Sequence, residues 1–470
     1  MKTQYKFYLV KWLSSSLSTL LILSVLILYS CQKEFLEKKP DLSRLVPKTV
    51  SDFQAICDNE MWYSAPGVQE VSTDDFNISD AGLFASSAIV QNAYRWLPNT
   101  FAGQPFVLDW YETHMQIFYA NIILEGLADI TDGERDSPVY SSVKGTAFFQ
   151  RAFAFYNLAQ VFAAPYNPAN ANSKPGIPLR LLSDVNARYP RGTVQQTYDQ
   201  VIIDLRTALP LLPDEVSYTS RPSKVAVYAM LARVYLAMGD YVNAELNANT
   251  ALTIKHELID YNTIKGNASD RLIPPALRNT NVEVIFYKGA IAYTFPGASA
   301  LASVVPSVYN SYAADDLRKL LFFRNRGNGI FTFRGTYGGV SSAGLFTGLA
   351  TDELYLIRAE CAARRGNLNG ALSDLNTLLV KRYTIGKFIP VVETNQEIVL
   401  RTILAERRKE LICRALRWTD LRRLNIDPKF AVEFNRTVAG VEYKLPPNSN
   451  RYTFPLPDDE ILIGGMEQNP

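Results

Sequence analysis

The residues with the clearest chemical role lie near the N-terminus, where the run Leu28-Tyr29-Ser30-Cys31 ends an apolar stretch. A leucine three positions before a cysteine, with a small residue just before it, is the pattern that lipoprotein signal peptidases cleave. The thiol of Cys31 would then carry a diacylglycerol. The apolar centre, residues 17–28, is too short and too interrupted for a membrane-spanning helix, which needs about 20 apolar residues. We therefore predict a signal peptide over 1–30 and a lipid anchor at Cys31; the alternative is an ordinary secretory signal with a chance cysteine.

Catalytic and metal-binding patterns are scarce in the sequence. With only His114 and His256, a histidine-rich metal site is excluded, and neither a GxxxxGK phosphate loop nor a GxGxxG fingerprint occurs. Residues 339–344 miss the spacing of a nucleophile elbow by one position. The doublet Asp74-Asp75 could supply the acids of a glycoside hydrolase, although a helix cap or turn explains such a doublet more often. We expect no enzyme, no cofactor and no metal site.

Charge and cysteine content further narrow the class of protein to which the chain could belong. The formal net charge of +2 argues against a nucleic-acid partner. The stretch 401–423 is basic, but its charges alternate with a Leu/Trp stripe and include acids three or four residues from basic ones, so we predict a salt-bridged helix over 406–424. Once Cys31 is acylated, an odd number of cysteines remains: Cys57, Cys361 and Cys413. Buried thiols are a simpler explanation than a disulfide framework.

The chain is rich in aromatic residues, with 26 Tyr and 24 Phe, and many Tyr and Trp fall outside the helical segments. An aromatic ring on a loop offers an apolar face and a polar edge, which suits a sugar ring. The alternative is that most of these rings form the core of an irregular lobe. On placement alone, the predicted ligand-binding residues are Trp62, Asp75, Trp96, Tyr293, Arg334 and Tyr337.

Internal repeats would position these side chains. Residues 231–252 align with residues 358–379 at an offset of 127, and Gly239 then falls on Gly366. In each copy a helix with small residues ends at glycine and an amphipathic helix follows, which is typical of the tetratricopeptide repeat. A third copy is predicted to be split, with helices over 147–162 and 198–209 and a loop over 163–191.

The remaining segments are loop-rich, with short strand-like runs at 282–287 and 330–333. The predicted organisation is a signal peptide over 1–30, a charged tether over 31–46 and a single body over 47–470. Within that body, helical repeats occupy about 110–258 and 351–424, and two segments, about 60–110 and 260–350, build one loop-rich lobe. Because binding sites are commonly carried by loops on a rigid scaffold, we expect the ligand site in this lobe.

Four stretches resemble the SusD/RagB family of outer-membrane nutrient-binding lipoproteins of Bacteroidota. They are Cys31 with the charged residues, Phe35-Leu36 and Pro40 that follow; 151–158 (RAFAFYNL) with 176–179 (GIPL); 406–411 (ERRKEL) with 417–421 (RWTDL); and 452–457 (YTFPLP) with 468–470 (QNP). They occur in the family's order along nearly the whole chain. The chain departs from the family at Arg414-Ala415, where Glu-Gly is usual, and at Gly464-Gly465, where Asn-Pro is common.

The resemblance implies a mainly α protein with tetratricopeptide-like helical repeats and an irregular loop-rich lobe. It also implies an outer-membrane lipoprotein, anchored by lipid at the cell surface, that binds an oligosaccharide or other nutrient and delivers it to a TonB-dependent SusC-like transporter. The family does not place ligand-binding residues by a shared motif. The alternative function is a helical-repeat scaffold that binds protein and has no glycan site.

Overall fold

A computed structural model describes residues 47–265, 273–274, 280–293, 301–338 and 344–470. The predicted signal peptide, Cys31 and the tether lie outside the described residues. The body that follows, Thr49–Pro470, forms one unit. Across the described ranges, no helix combines the length and the apolar character that crossing a membrane would require.

Helices dominate the described chain, and we number them in order. They are α1 (Val50–Cys57), α2 (Val68–Val71), α3 (Asp80–Phe84), α4 (Ala88–Tyr94), α5 (Leu108–Ala128), α6 (Asp132–Arg135), α7 (Pro138–Phe162), α8 (Val194–Ala208), α9 (Lys224–Met238), α10 (Tyr241–Ile254), α11 (Pro306–Asn310), α12 (Leu317–Phe322), α13 (Thr351–Arg364), α14 (Leu368–Leu379), α15 (Gln396–Glu410), α16 (Arg417–Leu424) and α17 (Asp458–Leu462).

The strands are short. They are β1 (Ser64–Ala65), β2 (Phe76–Ile78), β3 (Pro175–Pro178), β4 (Arg191–Thr193), β5 (Val284–Phe286), β6 (Gly289–Ala290), β7 (Ala302–Val304), β8 (Phe323–Asn325), β9 (Phe331–Phe333), β10 (Leu349–Ala350), β11 (Phe434–Val438) and β12 (Val441–Leu445). Each pairs with one partner, as β1–β6, β2–β7, β3–β4, β5–β10, β8–β9 and β11–β12.

The predicted repeats are present as the helix pairs α9–α10 and α13–α14. Gly239 and Gly366 have φ of +76° and +82°, a left-handed conformation that glycine adopts without steric cost. In both copies the glycine amide and the next amide bond back to carbonyls of the preceding turn. This arrangement ends the first helix and reverses the chain, as the aligned glycines predicted. Ala232 and Ala359 are fully buried, as expected where paired helices pack closely.

The third pair, α7 and α8, is split by a long insertion as predicted, and the insertion carries the antiparallel strands β3 and β4. The first helix starts earlier than expected, at Pro138, because the side chain of Ser137 caps it by accepting a bond from the Tyr140 amide at 3.1 Å. A Thr193–Gln196 capping box starts the second helix.

The prediction of one helix over 406–424 is wrong. Helix α15 ends at Glu410, and α16 begins at Arg417 after a turn. Cys413 and Ala415 in this turn have φ of +62° and +56°, which no right-handed helix accommodates. The apolar spacing continued across the break, so the sequence pattern did not reveal it.

Strand pairing joins the two loop-rich segments that lie far apart in the chain. Strand β1 pairs with β6 in parallel, and β2 pairs with β7 antiparallel, with Phe76 opposite Val304. Most buried apolar side chains form one continuous core, and smaller clusters lie among α13, α14 and α15 and beside α1, α5 and α7. The segment 301–334 contributes buried side chains to this core and is therefore held firmly by it.

Candidate ligand-binding groove

Two of the predicted aromatic ligand contacts, Trp62 and Trp96, are interior residues. Their side chains are 1% and 6% exposed. The indole N–H of Trp62 donates to the Ile56 carbonyl at 2.6 Å, and that of Trp96 donates to the Ser72 carbonyl at 2.9 Å. Protein atoms cover both rings, so neither presents a face on which a sugar could stack.

Asp75 and Tyr337 are also buried, and both belong to networks of charged groups. Asp75 accepts a hydrogen bond from Nε of Arg408 at 2.8 Å. The Tyr337 hydroxyl donates to Glu283, and the guanidinium of Arg414 lies 4.1 Å from the centre of its ring. Both side chains are therefore enclosed by protein, and burial of Asp75 and of the Tyr337 ring leaves neither at the surface for a sugar.

The other two predicted residues, Tyr293 and Arg334, are half-buried. The Tyr293 hydroxyl donates to Asp109 on α5, a contact that links the two loop-rich segments. Arg334 donates to the Leu320 carbonyl at 2.6 Å and lines a surface groove. The six residues therefore do not form one surface, and the burial of Trp62, Asp75, Trp96 and Tyr337 argues against a direct ligand contact at those four positions.

The groove lined by Arg334 has a volume of about 770 Å³ and lies among α11, α12 and the β8–β9 hairpin. Tyr309 and Phe331 are half-buried in its wall, and their rings stack with centroids 3.5 Å apart and planes 13° apart. The ammonium group of Lys319 lies over the Tyr309 ring, 4.8 Å from its centre. Phe331 is half-buried and lines the groove, so the exposed part of its ring is apolar surface that a ligand in the groove can contact.

Polar and cationic side chains surround this aromatic pair. Lys319, Arg324, Asn325 and Arg334 line the groove. Asp316 also contributes, but its carboxylate is buried and forms a 2.7 Å ion pair with Arg318. An apolar ring flanked by hydrogen-bond donors is suited to a sugar, whose C–H groups pack on the ring and whose hydroxyls accept from the donors.

The sequence reasoning missed Tyr309 and Phe331, although a signal was present. Residues 327–329 (GNG) separate two short aromatic runs, and such a turn predicts a hairpin with an exposed tip. All three residues adopt positive φ. Along this hairpin Phe323 and Phe333 are buried in the core, whereas Phe331 near the tip reaches the surface.

A second aromatic surface lies where α5 begins. Phe106 and Tyr111 are 68% and 47% exposed and meet edge to face, with centroids 5.9 Å apart. Both lie close in sequence to Asp109, the partner of Tyr293. This pair is exposed but lacks the flanking cations of the groove, so it is the alternative aromatic surface for a ligand.

The doublet Asp74-Asp75 is engaged by arginines. Asp74 forms ion pairs with Arg417 at 2.7 Å and Arg408 at 2.8 Å. Burial opposes the ionisation of Asp74, but the attraction of Arg417 and Arg408 outweighs it and lowers the pKa to about 2. The doublet thus anchors α15 and α16, and its oxygens are not arranged around a substrate. Among the residues described, no three His, Cys, Asp or Glu side chains are grouped to hold a metal ion, and Cys57, Cys361 and Cys413 are buried free thiols, as predicted.

Comparison with known proteins agrees with this architecture. Residues 34–236 match a SusD-like family described as starch-binding and associating with the outer membrane, and residues 351–470 match the SusD family. SusD-like protein P2 of Formosa agariphila is 25% identical over 424 residues, covering 77% of this chain and 79% of that protein.

Solved structures share the fold. A SusD superfamily protein from Bacteroides vulgatus superposes with a TM-score of 0.71 at 21% identity, covering 90% of this chain and 99% of that one. A SusD-like carbohydrate binding protein from the same species gives a TM-score of 0.66 at 18% identity, covering 89% and 97%. The chain therefore belongs to the SusD/RagB family, a family of non-catalytic carbohydrate-binding proteins associated with the outer membrane.

Proposed function

We propose that this chain is a surface lipoprotein that binds an oligosaccharide in the groove at Tyr309 and Phe331 and delivers it to a TonB-dependent SusC-like transporter. The observation that carries the proposal is the stacked aromatic pair flanked by Lys319, Arg324 and Arg334 in a groove of about 770 Å³. Family membership supports carbohydrate as the ligand class. The lipobox ending at Cys31 supports anchoring at the membrane where such a transporter resides.

The groove suits reversible capture. An aromatic contact is worth about 0.5–1.5 kcal/mol beyond the area it buries, and a flexible oligosaccharide loses entropy when it is ordered. One such contact, together with hydrogen bonds from the flanking donors, corresponds to a dissociation constant on the order of millimolar. Binding of this strength concentrates a nutrient at the surface and still allows its release to a partner.

The ligand test is calorimetry against a panel of neutral and acidic oligosaccharides. Phe331→Ala should weaken binding of the selected ligand about twofold to tenfold, because it removes the ring face that contacts the sugar. Tyr309→Ala should act in the same direction by removing the support of that ring. Tyr218→Ala is the matched control, since Tyr218 is a 59% exposed tyrosine outside the groove.

Two results would contradict the groove assignment. If Phe106→Ala abolishes binding and Phe331→Ala has no effect, the ligand binds at the surface formed by Phe106 and Tyr111. If no oligosaccharide binds and the chain still captures a protein partner, the protein-binding scaffold is correct. Delivery is tested separately, by purifying the tagged lipoprotein from its own outer membrane and identifying a co-purifying TonB-dependent barrel.

A further inference from the structure

A second cavity, of about 540 Å³, opens beside α11, α15 and α16. Five of its lining residues are cationic: Arg401, Arg408, Lys409, Arg417 and Lys429. None of the lining residues, all of which fall within the described ranges 301–338 and 344–470, is acidic. Leu404 and Phe430 add apolar surface between the cations. We refer to this cavity as the basic pocket.

The cationic groups of the basic pocket are held in place from behind. Asp74 binds both Arg408 and Arg417 and is itself only 13% exposed. On the other side, Arg401 pairs with Glu397 at 2.9 Å and donates to the Lys429 carbonyl at 3.1 Å, and Lys409 pairs with Glu406. The Arg401 guanidinium also lies 5.1 Å from the centre of the Phe430 ring. Because these side chains are already ordered, an incoming anion would pay less conformational entropy to engage them.

The basic pocket neighbours the groove across a single short helix. Ser307, Val308 and Ser311 of the α11 region line the pocket, whereas Tyr309 of the same helix lines the groove. A helix with its side chains is about 10 Å across. An oligosaccharide that rests on Phe331 therefore has to span about 10 Å, so a unit further along its chain, and not the adjacent one, would reach the pocket.

We infer that the basic pocket is a subsite for the carboxylate or sulfate group of an acidic oligosaccharide, another sugar unit of which occupies the groove. The inference rests on the proposed function and specifies its substrate class. A guanidinium carries five N–H donors, so Arg401, Arg408 and Arg417 keep donors for a carboxylate or sulfate oxygen after pairing with their own carboxylates. An ammonium group adds a point charge. The apolar side chains Leu404 and Phe430 leave room for the ring that bears the acid.

The test compares uronate and sulfated oligosaccharides with their carboxyl-reduced and desulfated counterparts. The variant Glu397→Gln/Arg401→Gln/Lys429→Gln removes two exposed cations of the pocket together with the carboxylate that pairs with Arg401, and it leaves the buried pairs of Asp74 undisturbed. It should weaken binding of the acidic member about threefold to tenfold and leave the neutral member unchanged. Raising the salt concentration from about 0.05 M to about 0.5 M should weaken binding of the acidic oligosaccharide and leave binding of the neutral one unchanged.

The matched control is Arg365→Gln/Lys387→Gln, which removes one arginine and one lysine at exposed positions outside both cavities. It should leave both affinities unchanged. Equal binding of acidic and neutral members overturns the inference while the proposed function stands. Failure of every oligosaccharide to bind overturns both the inference and the proposed function. Binding of inorganic sulfate without any preference for acidic over neutral sugars would identify a simple anion site and overturn the saccharide assignment.

Discussion

At the scale of single residues, the interior of the chain is unusually ionic. Arg318 and Arg382 are fully buried, and each contacts Glu410, at 3.0 and 2.8 Å. Glu406 and Glu283 complete the network at 2.7 Å from Arg318 and Arg382 respectively. A buried charge is tolerated only when it is paired and hydrogen-bonded, so these contacts hold α12, α15 and the segment that follows α14 in one arrangement.

Glu70 is a buried acid of a different kind. Its carboxylate is fully buried, and burial together with the charge of Asp75 raises its pKa to about 8. Between pH 4.5 and 8 the folded chain keeps this proton while the unfolded chain releases it. The free energy of unfolding should therefore fall as pH rises through that window.

Glu70→Gln should remove this dependence, because glutamine has no proton to lose. Chemical denaturation at pH 4.5 and pH 8 should show the variant gaining roughly 3–5 kcal/mol relative to the native chain at the higher pH. Burial lowers the pKa of Lys288 to about 7, which gives a slope of opposite sign above pH 7. The informative quantity is thus the difference between variant and native chain. Parallel pH profiles for the two proteins would contradict the raised pKa, and Glu433→Gln at an exposed position provides the control.

At the scale of elements, the turn between α15 and α16 holds the main departure from the expected helix. Ala415 has φ of +56°, a left-handed conformation that favours glycine. A left-handed backbone costs roughly 1–2 kcal/mol for a residue with a Cβ. The turn therefore stores strain at Ala415, while the adjacent Arg414 forms a 2.7 Å ion pair with Asp352.

Ala415→Gly should stabilise the protein by about 1 kcal/mol, since glycine adopts this conformation without steric cost. Denaturant unfolding measures the change. Ala81→Gly on the exposed helix α3 is the control and should destabilise by up to about 1 kcal/mol, because glycine weakens a helix of ordinary geometry. Destabilisation by both substitutions would show that residue 415 is not left-handed.

The helical repeats could be predicted from the sequence because their signals are local. A glycine at each reversal and small residues at each crossing stand within about 20 residues of one another, and Gly239 and Gly366 act as expected. The α15–α16 break could not, since Cys413 and Ala415 are not typical turn residues. Two salt bridges within the basic stretch 401–423 form as predicted, between Lys409 and Glu406 and between Arg423 and Asp420. Most other ion-pair partners of the charged residues in 401–423 lie far away in the chain.

At the scale of the whole molecule, the predicted lipid on Cys31 determines where the protein acts. Radiolabelled palmitate should be incorporated into the native chain, and Cys31→Ala should abolish the label and release the protein from the membrane fraction. Two or more acyl chains hold a protein durably at a bilayer, whereas one is marginal. A Cys31→Ala protein that is cleaved yet remains in the membrane would rule out the lipid anchor.

The candidate groove also depends on contacts between distant segments. The predicted segment 260–350 contributes Arg334 and most of the groove lining, and Thr384 comes from outside it. Whether an aromatic ring faces solvent or core depends on which distant segment packs against it. The guanidinium of Arg436, for example, lies 4.3 Å from the centre of the Trp96 ring. No local sequence pattern predicts that contact.

The buried indoles have a spectroscopic consequence. Trp62, Trp96, Trp110 and Trp418 are all at most 6% exposed. Their emission should be blue-shifted in the folded protein, move to longer wavelength on unfolding, and respond little to a sugar at the surface. Because the native tryptophan emission should change little when a sugar binds, an indole introduced as Phe331→Trp would report occupancy of the groove directly.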